Sequence, residues 1–322
     1  MNCCEGSFAA KSIRFMVDTM ALITKGTENM AAEPSLKTVQ CLGASGLHRM
    51  AYWEWACTSG EAHPPTLVCV HGLSRQGMDF NALANAMTDR YRVIAPDVVG
   101  RGHSDWLANP AGYQIPAYVA DMVTLLARLD VSQVDWVGTS MGGLIGMGLA
   151  SLPGNPVKRL VLNDVGPAIR FEAIQRIGTY LGVPIRFDSV AQGTEYLQTI
   201  SKTFGPHSAD EWAALSAPMF RPDGEGKFRL HYDPKMALPF GAVTAEIAAA
   251  GEAAMWRAYD AIQAPTLVLR GAESDLLTIE TAHAMTERGP RARLHQFAGV
   301  GHAPTLVHAD QIAVVREFLG GP

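Results

Sequence analysis

The chain reads as an α/β protein, a mostly parallel sheet covered by helices on both faces. Strand-like and helix-like segments alternate from Lys37 onward, joined by short loops. Residues 64–72 (PPTLVCVHG) form a short, continuously apolar run. Such a run suits a strand buried on both faces better than a half-exposed one. The 322 residues are 48% hydrophobic and 18% charged, enough apolar material for a core and too little charge for a disordered chain. At about 150 residues per domain, this length allows two domains or one large α/β domain. No fixed-period repeat and no low-complexity tract interrupts it.

The elements follow in order. Residues 38–43 and 47–56 predict an opening hairpin, with period-2 apolar positions in the second strand. The buried run at 64–72 ends in His71-Gly72, a strand feeding a turn, and a helix is expected near 80–89. Residues 91–100 give the next strand and loop. Residues 115–130 give an amphipathic helix with Pro116 near its start, where a missing N–H costs nothing. A strand (134–140), a helix (141–151) and a strand (157–164) come next. Alternation then stops. Residues 165–261 read as helices and loops scattered with aromatics, and alternation resumes with strands at 264–271 and 292–299 and helices near 280–287 and 309–319. The middle segment therefore reads as a helical lid inserted between two strands of one sheet. An insertion leaving the C-terminal ends of parallel strands borders the ligand crevice. The expected organisation is a weakly structured extension over 1–35, a core formed by 36–164 and 262–322, and a lid over 165–261.

Composition excludes several classes. Lysine and arginine total 26 against 31 aspartates and glutamates, a formal charge of −5, so no basic excess suits a nucleic-acid or anionic-membrane partner. The cysteines are Cys3, Cys4, Cys41, Cys57 and Cys69, an odd number without a CxxC pair. That pattern argues against a disulfide framework and against a zinc site, and it fits a reducing, cytoplasmic compartment. No apolar run reaches the roughly 18 residues of a membrane span. The stretch after Lys11 and Arg14 is interrupted by Asp18 and lacks a small-residue cleavage site, so it is not read as a signal peptide. Nothing in the sequence speaks to oligomeric state.

Chemistry concentrates at Gly138-Thr139-Ser140-Met141-Gly142, a G-x-S-x-G sequence between an apolar strand and an apolar helix. On a sharp strand-to-helix turn the flanking positions must be glycine, because a Cβ would collide with the neighbouring strand or helix. The turn lifts the Ser140 hydroxyl above the sheet edge and aims the first helix N–H groups at whatever it attacks. A serine hydroxyl is a weak nucleophile and needs a base. Among ten histidines, His302 follows the last predicted strand in a loop containing Gly299 and Gly301, able to swing an imidazole over the sheet edge. The base needs a carboxylate to hold its tautomer. Asp164 and Asp275 each lie just beyond a strand. Asp275 is preferred because it falls between the lid and His302, in the chain order Ser, Asp, His; Asp164 is the alternative, with helix capping or anchoring of the lid's entry as its plainer role. Oxyanion donors are expected at the backbone N–H of Met141 and of Leu73. Arg75 reads as a surface residue or as the partner of an acidic neighbour, with contact to a substrate carboxylate the less favoured alternative. The loop from Asp97 to Ser104 lacks a phosphate-binding pattern and reads as a structural loop in which Asp97 and Arg101 brace the site's floor.

Together, residues 70–80 (VHGLSRQGMDF), 94–106, 137–143 (VGTSMGG), 160–167 (LVLNDVGP), 267–277 (LVLRGAESDLL) and 299–306 (GVGHAPTL) resemble the α/β-hydrolase superfamily, in its order and spacing, from about Thr38 to Leu319. The resemblance implies an eight-stranded, mostly parallel sheet with a helical cap after the sixth strand. It implies Ser140 as nucleophile, Asp275 as acid, His302 as base, Leu73 and Met141 as oxyanion donors, and no cofactor or metal. Haloalkane dehalogenases and epoxide hydrolases place aspartate where this chain has Ser140, which argues against both. Carbon–carbon bond hydrolases typically have asparagine before the serine and tryptophan after the base, where this chain has Thr139 and Ala303. The expected function is that of a serine hydrolase. It cleaves a small to medium, largely apolar carboxylic ester through an acyl-enzyme, with the ester and water as its partners. Carbon–carbon hydrolysis, thioester hydrolysis, acyl transfer and a non-catalytic ligand receptor are the alternatives.

Overall fold

A computed structural model describes residues 33–321. The extension expected over 1–35 therefore lies almost wholly outside the described residues. The chain opens with the hairpin β1 (Ser35–Gly43) and β2 (Gly46–Trp55), paired antiparallel. β3 (Thr66–Val70), α1 (Asn81–Met87), β4 (Arg92–Asp97), α2 (Ile115–Leu129), β5 (Val134–Thr139), α3 (Met141–Ala150) and β6 (Val157–Asn163) follow. An insert then holds α4 (Phe171–Tyr180), β7 (Arg186–Phe187), α5 (Val190–Ile200), α6 (Ala209–Ser216), β8 (Phe220–Pro222), β9 (Phe228–Leu230), α7 (Ala237–Gly241) and α8 (Ala245–Ala261). The chain returns through β10 (Thr266–Gly271), α9 (Ile279–Glu287), β11 (Arg293–Phe297) and α10 (Ala309–Gly320).

The large sheet has eight strands in the order β1-β2-β4-β3-β5-β6-β10-β11. β2 runs against both its neighbours, and every pair from β4 to β11 is parallel. The continuously apolar runs acquire a simple explanation. Successive side chains of a strand point to opposite faces, and here both faces are covered. Val68 and Val70 of β3 join Trp136, Leu160, Leu162 and Val268 beneath α2, α3 and α9. Leu67 and Cys69 join Val137, Val161 and Leu269 beneath α1 and α10 on the other face.

The insert is not wholly helical. It contains a small antiparallel sheet, β7-β9-β8, with its own apolar cluster of Phe187, Leu197, Met219 and Phe220. Strands of two or three residues are too short to show a period, which is why the sequence reads there as loop. The insert is stitched to the loop after β4. Gly102 N–H donates to His231 O (2.9 Å), Asp233 N–H to Gly100 O (2.7 Å), and the Tyr113 hydroxyl to Asp233 Oδ2 (2.6 Å).

Candidate active site

Ser140 stands between the end of β5 and the start of α3, with φ 51° and ψ −116°. A non-glycine residue at positive φ is strained, and the neighbours hold it there. A Cβ on Gly138 would run into the carbonyl of Gly142, and one on Gly142 into the carbonyl of Val70. Helix α3 can therefore press against the strands only because both positions lack a side chain. Ser140 N–H donates to Asn163 O (2.9 Å), which fastens the turn to β6.

His302 reaches this turn from the loop after β11. Its Nε2 lies 3.1 Å from Ser140 Oγ, and its Nδ1 lies 2.7 Å from Asp164 Oδ2. A carboxylate accepts only, so Nδ1 carries the hydrogen and Nε2 is free to accept from the serine. Two insert contacts hold the loop: Thr203 Oγ1 donates to His302 O (2.7 Å), and Gly301 N–H donates to Thr203 O (2.6 Å). From β6, the Asn163 side-chain amide donates to both Thr139 Oγ1 (2.9 Å) and Pro304 O (2.8 Å), tying the serine's strand to the histidine's loop. Neither Thr203 nor Asn163 stands out in the sequence, since each acts through a contact distant along the chain.

The acid preferred on sequence grounds needs correction. Asp275 is not brought to His302. Its side chain is 51% exposed and pairs with Arg176 Nη2 of α4 at 2.7 Å. Asp164, the alternative, takes the place beside the histidine. It is fully buried, and besides His302 it accepts from Gly271 N–H (2.8 Å) and the Ser274 hydroxyl (2.6 Å). The reason is topological. β6 lies between β5 and β10, so a residue just beyond β6 emerges beside the serine. The turn after β10 offers the carboxylate Ser274 instead and sends the next residue, Asp275, outward. Three donors also answer the cost of burying a carboxylate.

The loop after β3 is braced from behind. His71 is fully buried; its Nδ1–H donates to Gly72 O (2.7 Å) and its Nε2 accepts from Val98 N–H (3.0 Å). Arg75 N–H also donates to Gly72 O, at 3.2 Å. In a trans peptide C=O and N–H point opposite ways, so pinning Gly72 O turns Leu73 N–H the other way. Arg101, fully buried, holds Leu73 O through Nε (2.8 Å) and reaches Met141 Sδ through Nη2 (3.3 Å). One guanidinium thus braces both residues whose N–H groups are the expected oxyanion donors. Burial pushes the His71 imidazole down to about 3, with the Gly72 carbonyl opposing and the charges of Arg101 and Arg75 adding to the depression. His71 is a neutral strut.

A cavity of about 140 Å³ opens over Ser140 and His302, walled by Leu73 and Phe80 of the core and by Ile177, Tyr180, Tyr196 and Phe204 of the insert. Met219 also lines it, whereas Met236 packs into the main core. Among the described residues, Cys41, His48 and Asp121 form a group able to approach one metal ion. It lies away from this cavity, with His48 Nε2 already 3.0 Å from Asp121 Oδ2. No helix among the described residues is long and apolar enough to cross a membrane.

Comparison with known proteins agrees with this geometry. A family model described as alpha/beta hydrolase fold matches residues 65–309. A 3-hydroxybutyrate-oligomer hydrolase of Cupriavidus necator is 53% identical over 296 residues, spanning 91% of this chain and 100% of that protein. A 2-hydroxymuconate semialdehyde hydrolase of a Pseudomonas species is 28% identical over 81% of this chain and 88% of the relative. The crystal structure of an alpha/beta hydrolase from Novosphingobium aromaticivorans superposes with a TM-score of 0.79 at 31% identity, over 90% of this chain and 99% of that one.

Proposed function

The chain belongs to the α/β-hydrolase family and is an ester hydrolase, and from that premise we propose that it cleaves short oligoesters of a hydroxy acid such as 3-hydroxybutyrate at Ser140. One observation carries the proposal: the unbroken hydrogen-bonded path from Ser140 Oγ through His302 to Asp164, at the floor of a small cavity. Ser140 Oγ attacks the ester carbonyl while His302 Nε2 takes its proton. Asp164 stabilises the imidazolium and holds its orientation. The oxyanion is met by the N–H groups of Leu73 and Met141, aimed before the substrate arrives. His302 then protonates the leaving alcohol, and water releases the acyl group by the same path in reverse. The insert serves as a lid, supplying most of the cavity's apolar wall.

The substrate follows from size and kinship. A cavity near 140 Å³ is comparable to one that holds benzene, which suits a four-carbon acyl group. The Cupriavidus relative is named for 3-hydroxybutyrate oligomers. Cys41 and Cys69, buried and unpaired among the described residues, suit the reducing cytoplasm. The test uses a fluorophosphonate probe together with the 3-hydroxybutyrate dimer. The native chain should be labelled and should release monomer, and Ser140→Ala should do neither. Labelling of Ser140→Ala, or a native chain inert towards the dimer while active on other esters, would refute the corresponding part.

A further inference from the structure

We propose that Arg75 recognises the carboxylate of the substrate's leaving fragment, making the enzyme selective for anionic esters; the inference rests on the hydroxy-acid oligoester reading above. A linear oligoester of a hydroxy acid ends in a free carboxylate. In a dimer of 3-hydroxybutyrate, that carboxylate belongs to the alcohol that departs when Ser140 attacks, within about 5 Å of the scissile carbon by ordinary bond lengths. A cation beside the nucleophile, on the leaving-group side, would meet it.

Arg75 stands there. Gly72 separates it from the serine: a Cβ on Gly72 would lie 3.7 Å from Ser140 Cβ and 3.9 Å from Arg75 Cγ. The guanidinium is largely buried and lines the cavity, with Cζ 5.9 Å from the centre of the Phe204 ring. Its fork is held on one edge. Nε donates to Asp79 Oδ2 (2.6 Å), and Nη2 to Asp79 Oδ1 (2.7 Å) and to Leu215 O (2.8 Å). Nη1 has no partner among the described residues. A guanidinium fixed through Nε and Nη2, with Nη1 left to donate, loses little freedom when it binds an anion. Burial pushes the Asp79 carboxyl up, and the charge and hydrogen bonds of Arg75 pull it down. The cavity's other arginine, Arg176, is half exposed at the rim and engaged by Asp275.

The experiment compares an acid with its neutral counterpart in two ways. One is inhibition of p-nitrophenyl butyrate hydrolysis by 3-hydroxybutyrate against 3-hydroxybutyramide. The other is kcat/KM for the dimer acid against its methyl ester. The native enzyme should favour the acid by about tenfold to a hundredfold, the range of a hydrogen bond to a charged group. In Arg75→Gln/Asp79→Asn, which leaves neither charge buried alone, both ratios should fall towards one, the second through KM. If that variant does not fold, Arg75→Lys serves: it keeps the charge, loses the fork, and should reduce both ratios in part. Equal treatment of acid and amide by the native enzyme, unchanged ratios in the folded variant, or a loss appearing in Arg176→Gln instead would each overturn the assignment. A native enzyme that ignores the dimer yet hydrolyses p-nitrophenyl butyrate would sink the oligoester reading alone, because the inhibition arm still reports on Arg75.

Discussion

At the scale of single residues, the site depends on how one carboxylate is held. Asp164 accepts three hydrogen bonds in full burial, and one of them fixes which nitrogen of His302 faces Ser140. Asp164→Asn would offer an amide N–H to Nδ1 and favour the wrong tautomer. By analogy with a triad whose acid is amidated, kcat should fall about 10⁴-fold with little loss of stability. Asp275→Asn removes a half-exposed ion pair at the rim, of the kind worth about 1 kcal/mol or less, and should leave kcat within about threefold. Steady-state kinetics on a p-nitrophenyl ester checks both, and the opposite ranking would return the acid to Asp275. Chain order could not separate the two, because Asp164 and Asp275 both fall between Ser140 and His302. What separates them is which strand ends beside β5.

At the scale of elements, the turn after β3 is shaped by a histidine that takes no proton. Folded His71 is neutral down to about 3, whereas the unfolded chain protonates near 6.5. Between those values the unfolded state binds more protons, so stability is complete above pH 6.5 and is lost as the pH falls. Asp97 acts in the opposite sense. Burial raises it to about 6, against the backbone N–H groups of His103 and Gly77, so its contribution weakens as the pH rises from about 4 to 6. Comparing the native chain with His71→Asn isolates the histidine. On going from pH 6.5 to pH 4.5, the native Tm should fall more steeply than the variant's, as thermal melts would show. Parallel slopes would mean that His71 is protonated in the fold. The sequence identifies this turn by its His-Gly pair, but the pinning of Gly72 O depends on Val98, delivered by the neighbouring strand β4.

At the scale of the whole molecule, the cavity exists only where insert and core meet. Its floor is the C-terminal edge of the parallel strands, and much of its wall is α4, α5 and the turn carrying Phe204. With about 140 Å³ available, acyl length should be limiting. Across p-nitrophenyl esters from acetyl to octanoyl, kcat/KM should be highest at two to four carbons and at least about tenfold lower at eight, since misfit in an apolar pocket costs about 1–3 kcal/mol per methylene. A maximum at eight carbons would mean that the insert moves aside and sets no limit.

The sequence alone determined the α/β class, the order of the large-sheet strands and helices along the chain, the serine turn and the candidate histidine, because these depend on local periodicity, glycine geometry and short-range spacing. Tertiary structure decided which aspartate meets His302, that Arg101 and His71 brace the loop after β3, that the insert carries its own small sheet, and that Arg75 meets Leu215 O of the insert. Each of these turns on residues far apart in the chain and brought within about 3 Å, a relation set by strand order and packing and not by any pattern along the sequence.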